Sequence, residues 1–185
     1  MNPKVSIIIP CKEIGDYAYE SIEHCSKLKY SDFEILVLPD AEPTLNLSGV
    51  KIIPTGPIGP AEKRDLAASK TDSEFLAFID DDAYPDKLWL SKAMRHFHDT
   101  DIAAVGGPGI TPLTDGLRQK ASGWVFSSRI GSGANNFRNT PGHQMEIDDC
   151  PSCNFIIRKS VFQQLGGFDT HFWPGEDTKL CLEVT

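Results

Sequence analysis

The sequence contains no apolar run approaching the roughly 18 residues that a membrane helix needs. Its N-terminus, "MNPKVSIIIPCKE", has only a short apolar core, closed by Pro10 and followed by charge. It reads as a first strand, not a signal peptide. Cations are scarce: 18 Lys and Arg face 26 Asp and Glu, leaving a net charge of −8. Nucleic acid is therefore excluded as a direct partner, because phosphate backbones select basic faces, and a polyanionic small ligand would need a metal to mediate. Five cysteines, odd in number and irregularly spaced, do not make a disulfide framework. One C-x-x-C, Cys150-Pro-Ser-Cys153, has no second pair for zinc and is followed by strand-like "NFIIR" where a redox pair wants a helix. G-x-x-x-x-G-K-[ST] is missing, and "GSGANN" is no dinucleotide fingerprint. These absences place the chain in the cytoplasm.

What is present is alternation. With 40% hydrophobic residues, 185 residues suffice for one well-buried domain. Strands are predicted at 5–10, 33–40, 50–54, 74–82 and 102–107, as short apolar runs. Helices are predicted at 17–29, 60–70 (opening on Pro60) and 86–98. The fold class is thus α/β, a mostly parallel central sheet with helices on both faces. In such sheets ligands bind at the carboxyl ends of the strands. Pro10-Cys11-Lys12-Glu13, Asp40 and Asp80-Asp81-Asp82 all fall there. Residues 107–149 are rich in Gly, Pro, Ser and Asn; they predict a partly helical start and then a long loop of functional character. A strand and a short helix ending at Gly166-Gly167 follow in 153–169. "GEDTKLCLEVT" opens a helix with no stop signal, which predicts a domain continuing past Thr185.

Two acidic clusters invite chemistry. In an extended strand Asp80 and Asp82 share a face, and hard cations such as Mg²⁺ or Mn²⁺ take oxygen ligands, often one or two carboxylates plus substrate phosphates. The alternative is a solvated acidic turn. Glu176-Asp177 follow Gly175 into a helix; there they are either ordinary first-turn acids or hold a general base for a hydroxyl. Lys63 and Arg64 lie on the second predicted helix, where they reach a diphosphate or form surface ion pairs. His96 and His98, two apart on a helix, diverge.

In this order, "VSIIIPCKE", "FEILVLPD", "GPAEKRDLAASKTDSEFLAFIDDDAYPDKLWL", "CNFIIRKSVFQQLGGFD" and "WPGEDTKLCLE" resemble the family 2 glycosyltransferases over nearly the whole chain. The resemblance implies a single Rossmann-like GT-A domain and an inverting, nucleotide-sugar-dependent transferase, of the kind that builds cell-envelope polysaccharide. It implies that Pro10, Cys11 and Glu13 line the nucleotide pocket and that Asp40 reads the base. Arg64 would lie near the nucleotide, and Asp81 would stand between the two aspartates of the D-x-D. Asp80 would face the ribose and share with Asp82 a metal, Mg²⁺ or Mn²⁺. Asp177 would be the catalytic base, with Glu176 positioning the acceptor, and Gly167-Phe168-Asp169 would form the turn before them. Two departures stand out: Asp40 is followed by Ala-Glu-Pro where members often carry "DDGS", and Cys11 stands where Thr or Ser is usual.

The implied donor is a nucleotide sugar, a UDP-sugar first, and the acceptor a carbohydrate or lipid-linked hydroxyl. Membrane contact, at the cytoplasmic face, would come only through a part beyond Thr185. Two rivals remain. One is a glycosyltransferase-like module that binds nucleotide and transfers nothing. The other is a phosphatase resembling the haloacid dehalogenases, whose D-x-D, however, ends the first strand of the core where this one ends the fourth.

Overall fold

The computed structural model describes residues 2–44, 47–172 and 174–184. Trp173, the first residue of the "WPGED" stretch, lies outside them. Six strands form one sheet in the order β3-β2-β1-β4-β6-β5. These are β1 (Val5–Pro10), β2 (Phe33–Leu38), β3 (Val50–Ile52), β4 (Phe75–Phe78), β5 (Ala104–Gly106) and β6 (Phe155–Arg158). The strands β1 to β4 pair in parallel, and β6 runs antiparallel between β4 and β5. The mostly parallel reading holds; the reversed strand could not be read from a four-residue apolar run, whose composition carries no direction.

β1 is buried at all six positions, as a central parallel strand covered on both faces must be. Its alternate residues feed two cores. Val5, Ile7 and Ile9 pack with Ala18, Ile22 and Cys25 of α1 (Asp16–Ser26), and with Leu90, Ala93, Met94 and Phe97 from α3 (Trp89–Ala93) and the turn after it. Ile8 packs on the opposite face with Ala61, Ala67 and Ala68 of α2 (Pro60–Ser69). Phe162 of α6 (Lys159–Leu165) and Leu180 of α7 (Glu176–Val184) complete that second core.

Several predicted boundaries shift inward. The helix expected over 86–98 is only five residues of α-helix followed by a 3₁₀ turn at His96–His98. The strand expected to run to Asp82 ends at Phe78: the amide of Ala83 donates to the carbonyl of Asp80, closing a turn over the three aspartates. The long excursion is more helical than expected, with α4 (Leu117–Ser127), α5 (Arg129–Ser132) and a 3₁₀ segment, Gly133–Asn139. Its helices touch one another and bury no residue of α4 or α5.

Parallel register sets Pro10 beside Leu38 and Ile8 beside Phe78, so the carboxyl ends of β1, β2 and β4 form one rim. The α6–α7 hairpin is folded onto that rim by the turn between its helices. Gly166 caps α6 in the left-handed region at φ 86°, and Gly167 follows at φ 85°, conformations that only glycine adopts without strain.

Candidate active site

Beyond that rim lies a cleft of about 400 Å³, lined by Pro10 and Arg64, by Asp80, Asp81 and Asp82, and by Glu176 and Asp177, among others. Seven of the ten residues expected to act are thus brought together from segments separated by more than 160 positions. Three are not in its lining. Cys11 is buried, and its carbonyl accepts from Lys63 Nζ at 2.6 Å. Asp40 is bound through its carboxylate to the same ammonium. Glu13 is exposed. They form a neighbouring wall, tied to β2 by the Cys11 amide on the Leu38 carbonyl at 3.2 Å and by the Asp40 amide on the Lys12 carbonyl at 3.0 Å.

Lys63 and Arg64 are not surface residues; each is 3% exposed. The reason is the start of α2. Gly59 and Pro60 open the helix, and Glu62 reaches back to the Gly59 amide, which aims the first turn over the rim. Lys63 then clasps the ends of β1 and β2, donating to the carbonyls of Cys11 and Leu38. Arg64 donates to Asp80 Oδ1 at 2.6 Å and lies 3.6 Å from Glu176 Oε1. Its guanidinium also stands over the Phe168 ring, 5.7 Å from the centroid. One buried cation therefore links the D-x-D turn to the first turn of α7. Its Nε is buried without a hydrogen-bond partner among the described residues.

Asp177 is oriented by two amides: Ser152 N–H donates to Oδ2 at 3.2 Å and Thr178 N–H to Oδ1 at 2.8 Å. The C-x-x-C stretch thus holds the carboxylate of Asp177 through the backbone of its middle serine. Its thiols are free. Burial, aided by Asp80, Asp177 and Asp82, pushes the Cys153 thiol up to about 11. It pushes Cys11 up to about 11 as well, with Asp81 adding to the rise.

The cleft is strongly acidic: five carboxylates line it against one guanidinium. Burial raises Asp80, which Arg64 pulls back while Asp82 and Asp177 push further up. Burial and then Asp82 raise Asp81. Asp81 and Asp82 make no ion pair among the described residues, and no cluster of three or more His, Cys, Asp or Glu there is set to enclose a cation. Hard carboxylate oxygens on an open turn, too few to satisfy a cation alone, suit Mg²⁺ or Mn²⁺ whose remaining positions go to phosphate and water.

Residues outside the expected set also matter. Asp65 Oδ1 accepts the Phe168 amide at 3.0 Å, and a Cβ on Gly167 would meet that oxygen at 2.7 Å. Burial pushes Asp65 up to about 6. Asp169 pairs with Lys179 of α7. Asp149 is bound by Arg138 and by the Thr178 hydroxyl at 3.0 Å, tying the excursion to the residue beside Asp177. An aspartate inside a helix, where it is a poor former, was the one signal in the sequence for Asp65. Ser152 offered none, since its backbone acts.

The profile of Glycosyl transferase family 2 matches residues 6–166. The chain belongs to that family. It is similar to the Pre-mycofactocin glycosyltransferase of Mycobacterium tuberculosis, 31% identical over 126 residues, covering 68% of this chain and 26% of the relative. It is also similar to the O-antigen biosynthesis protein RfbC of Myxococcus xanthus, at 26% identity over 99% of this chain and 16% of the relative. The fold is that of the GT-A glycosyltransferases. The mannosyltransferase PcManGT of Pyrobaculum calidifontis, in complex with GDP-Man and Mn²⁺, superposes with a TM-score of 0.69 at 15% identity, over 100% of this chain and 52% of that one. S. aureus TarS in complex with UDP-GlcNAc superposes with a TM-score of 0.67 at 18% identity, over 98% and 53%. This family 2 chain therefore spans about a quarter or less of those curated relatives and about half of those solved chains. Among the described residues, no helix is long and apolar enough to cross a membrane.

Proposed function

We propose that this family 2 chain carries the donor site and the base of an inverting glycosyltransferase, moving a sugar from a nucleoside diphosphate to an acceptor hydroxyl. The observation that carries this reading is the meeting of the D-x-D turn and Asp177 in one acidic cleft, where Arg64 links Asp80 to Glu176, the neighbour of Asp177. A cleft with five carboxylates and one guanidinium repels a diphosphate unless a cation accompanies it. Asp82, with Asp80 beside it, would hold a divalent ion, Mg²⁺ or Mn²⁺. That ion supplies Lewis-acid neutralisation of the leaving diphosphate.

The protein's own groups do the rest. Pro10 and Asp81 line the donor side, with Cys11, Glu13 and Asp40 on the wall next to it, where a base and ribose would lie. Arg64 keeps Asp80 in place and sets Glu176 against the same charge. Asp177, fixed by two amides, takes the proton of the acceptor hydroxyl as it attacks the anomeric carbon. The nucleoside diphosphate leaves from the opposite face with the bonding pair, so a single displacement inverts configuration and no nucleophilic side chain is needed. Glu176 positions the acceptor. The 107–149 excursion, rooted beside Asp177 through Asp149, would shape the acceptor side or close over the donor. A cytoplasmic site of action and a carbohydrate or lipid-linked acceptor belong to this same reading.

Structural relatives bind GDP-Man with Mn²⁺ in one case and UDP-GlcNAc in another, so the donor base is a question for titration. Calorimetry with UDP, GDP and dTDP, with and without Mn²⁺, on wild type and Asp82→Ala is expected to show metal-dependent binding of one nucleotide, lost in the variant. Equal binding without metal, or by Asp82→Ala, would remove the metal from the reading. No binding of any nucleotide by the folded chain would overturn it.

A further inference from the structure

Where β1, β2 and α2 meet, the ammonium of Lys63 is used up by the protein itself. An ammonium has three protons and accepts nothing. Lys63 is buried, and its protons go to the Cys11 carbonyl at 2.6 Å, to the Leu38 carbonyl at 3.2 Å and to Asp40 Oδ1. The two carbonyls stand at the ends of neighbouring strands, so the ammonium is fixed from both.

Asp40 is the partner that keeps capacity. Its side chain is 24% exposed, and among the described residues its Oδ2 accepts no hydrogen bond. Its backbone is pinned at both ends. The amide donates to the Lys12 carbonyl at 3.0 Å, and the carbonyl accepts from the Gly56 amide at 2.9 Å. The carboxylate is therefore held at one oxygen and offers the other. This wall runs on into the cleft, because Pro10 precedes Cys11 and Arg64 follows Lys63, and both line it.

A fixed anionic acceptor discriminates among nucleobases. On the edge used in pairing, uracil, thymine and guanine carry a ring N–H. Cytosine and adenine carry there a ring nitrogen with a lone pair, which repels a carboxylate oxygen. Lys63 has no proton left to serve that lone pair. A site fitted to an N–H rejects the analogue that lacks one, since a desolvated polar group is left unpaired.

We propose that Lys63 sets the base specificity of the donor site, by holding Asp40 with Oδ2 as a fixed acceptor that admits uracil, thymine or guanine and turns away cytosine and adenine. Lys63 is thus a positioning residue, acting through Asp40. This specificity rests on the cleft being the nucleotide-sugar site of the preceding proposal.

Calorimetry in Mn²⁺ with UDP, dTDP, GDP, CDP and ADP, and with inorganic pyrophosphate as a ligand without a base, tests it. Wild type is expected to bind at least one of UDP, dTDP and GDP about tenfold or more tighter than CDP and ADP. In Asp40→Asn, Lys63 keeps the amide oxygen and turns the NH₂ towards the base, so the preference should invert to CDP or ADP by about fivefold. Adding Lys63→Met frees that amide to flip, and the nucleotides should then bind within about threefold of one another. Each affinity is read relative to pyrophosphate in the same variant; a merely structural lysine would move pyrophosphate and nucleotides together and leave the ratios unchanged. Should the Lys63→Met chain not fold, Asp40→Asn still decides, since it leaves every hydrogen bond of the lysine in place. A wild type without the preference, or one whose preference Asp40→Asn retains, overturns the role of Lys63 while the donor site stands. Failure of the folded wild type to bind pyrophosphate or any nucleotide overturns the donor site, and this specificity with it.

Discussion

Replacing Arg64 by Met tests whether the cleft is held open and in register by one buried cation. Methionine fills similar volume and keeps contact with Phe168, so the change removes mainly charge and hydrogen bonds. Two carboxylates lose their partner. Glu176 has a side chain only 6% exposed and lies 3.6 Å from the guanidinium. Asp80 has a side chain 37% exposed and is bonded at 2.6 Å. Removing one partner from a buried ion pair costs about 3–5 kcal/mol; solvent screens the Asp80 share, which then approaches the roughly 0–1 kcal/mol of a surface pair. A loss of about 2–4 kcal/mol follows, or a fall in Tm of roughly 5–15 °C at the ~2–4 °C per kcal/mol expected for a domain of this size.

The loss must also depend on pH. Burial already raises Asp80 and Arg64 pulls it back, so with Arg64 gone its folded-state pKa rises further above the unfolded value. Its share of the penalty is full at neutral pH and shrinks as the pH falls through that raised value and the acid binds a proton. Melting curves of wild type, Arg64→Met, Glu176→Gln and the double variant at pH 7 and pH 5 measure this. The double variant is expected to recover more than half of the Arg64→Met loss. A loss under about 1 kcal/mol, or one equal at both pH values, would refute the claim that Arg64 balances buried charge.

Other outcomes follow from neighbouring groups. Asp65, pushed up to about 6 by burial from an ordinary 3.8, penalises folding above pH 6, and that penalty fades as the pH falls towards 4. Asp65→Asn keeps an acceptor for the Phe168 amide and should melt above wild type at pH 7, the gap closing near pH 4; a gap constant with pH would refute the assignment. Gly167→Ala must place a Cβ 2.7 Å from Asp65 Oδ1 at φ 85°, so chemical denaturation should show a loss of about 1–3 kcal/mol. Asp65→Ala in the same chain should relieve part of it. Asp177→Asn should lower the rate of transfer to an acceptor by about 10²- to 10⁴-fold while leaving nucleotide affinity within about twofold of wild type in calorimetry. A matching loss of nucleotide affinity would move Asp177 from base to binding group.

The reading of the strands was close because their signal is local. "VSIIIP" is bounded by charge and proline, and β1 spans the same six residues. The ends of β4 were less legible. "FLAFIDDD" is apolar into acidic with no break, and only the turn closed by the Ala83 amide on Asp80 shows that the strand stops before the triplet. The shared face expected of an extended Asp80 and Asp82 is therefore not how they meet the cleft. Lys63 and Arg64 misled for a different reason. Two cations on a helix are exposed by default, and their burial depends on Asp40, Asp80 and Glu176, which lie 16 to 112 residues from the cation each one pairs with. The sequence marks excursion helix α4 only as a helical start, since none of its residues is buried and its apolar positions keep to no single face.

What the order of residues determined was which segments are strands, which ends of them are polar, and which carboxylates wait at those ends, because alternation, proline breaks and acidic clusters act over a few residues. The tertiary structure decided that Asp80, Asp81 and Asp82 share one cleft with Glu176 and Asp177, that β6 runs backwards between β4 and β5, that the amide of Ser152 holds Asp177, and that Asp65 holds the turn before α7 through the Phe168 amide. Each of these depends on contacts between distant parts of the chain, which short-range composition does not encode. Burial then turned two ordinary helical cations into the clasp of the sheet and the link across the cleft, since a charge removed from water persists only beside its counter-charge.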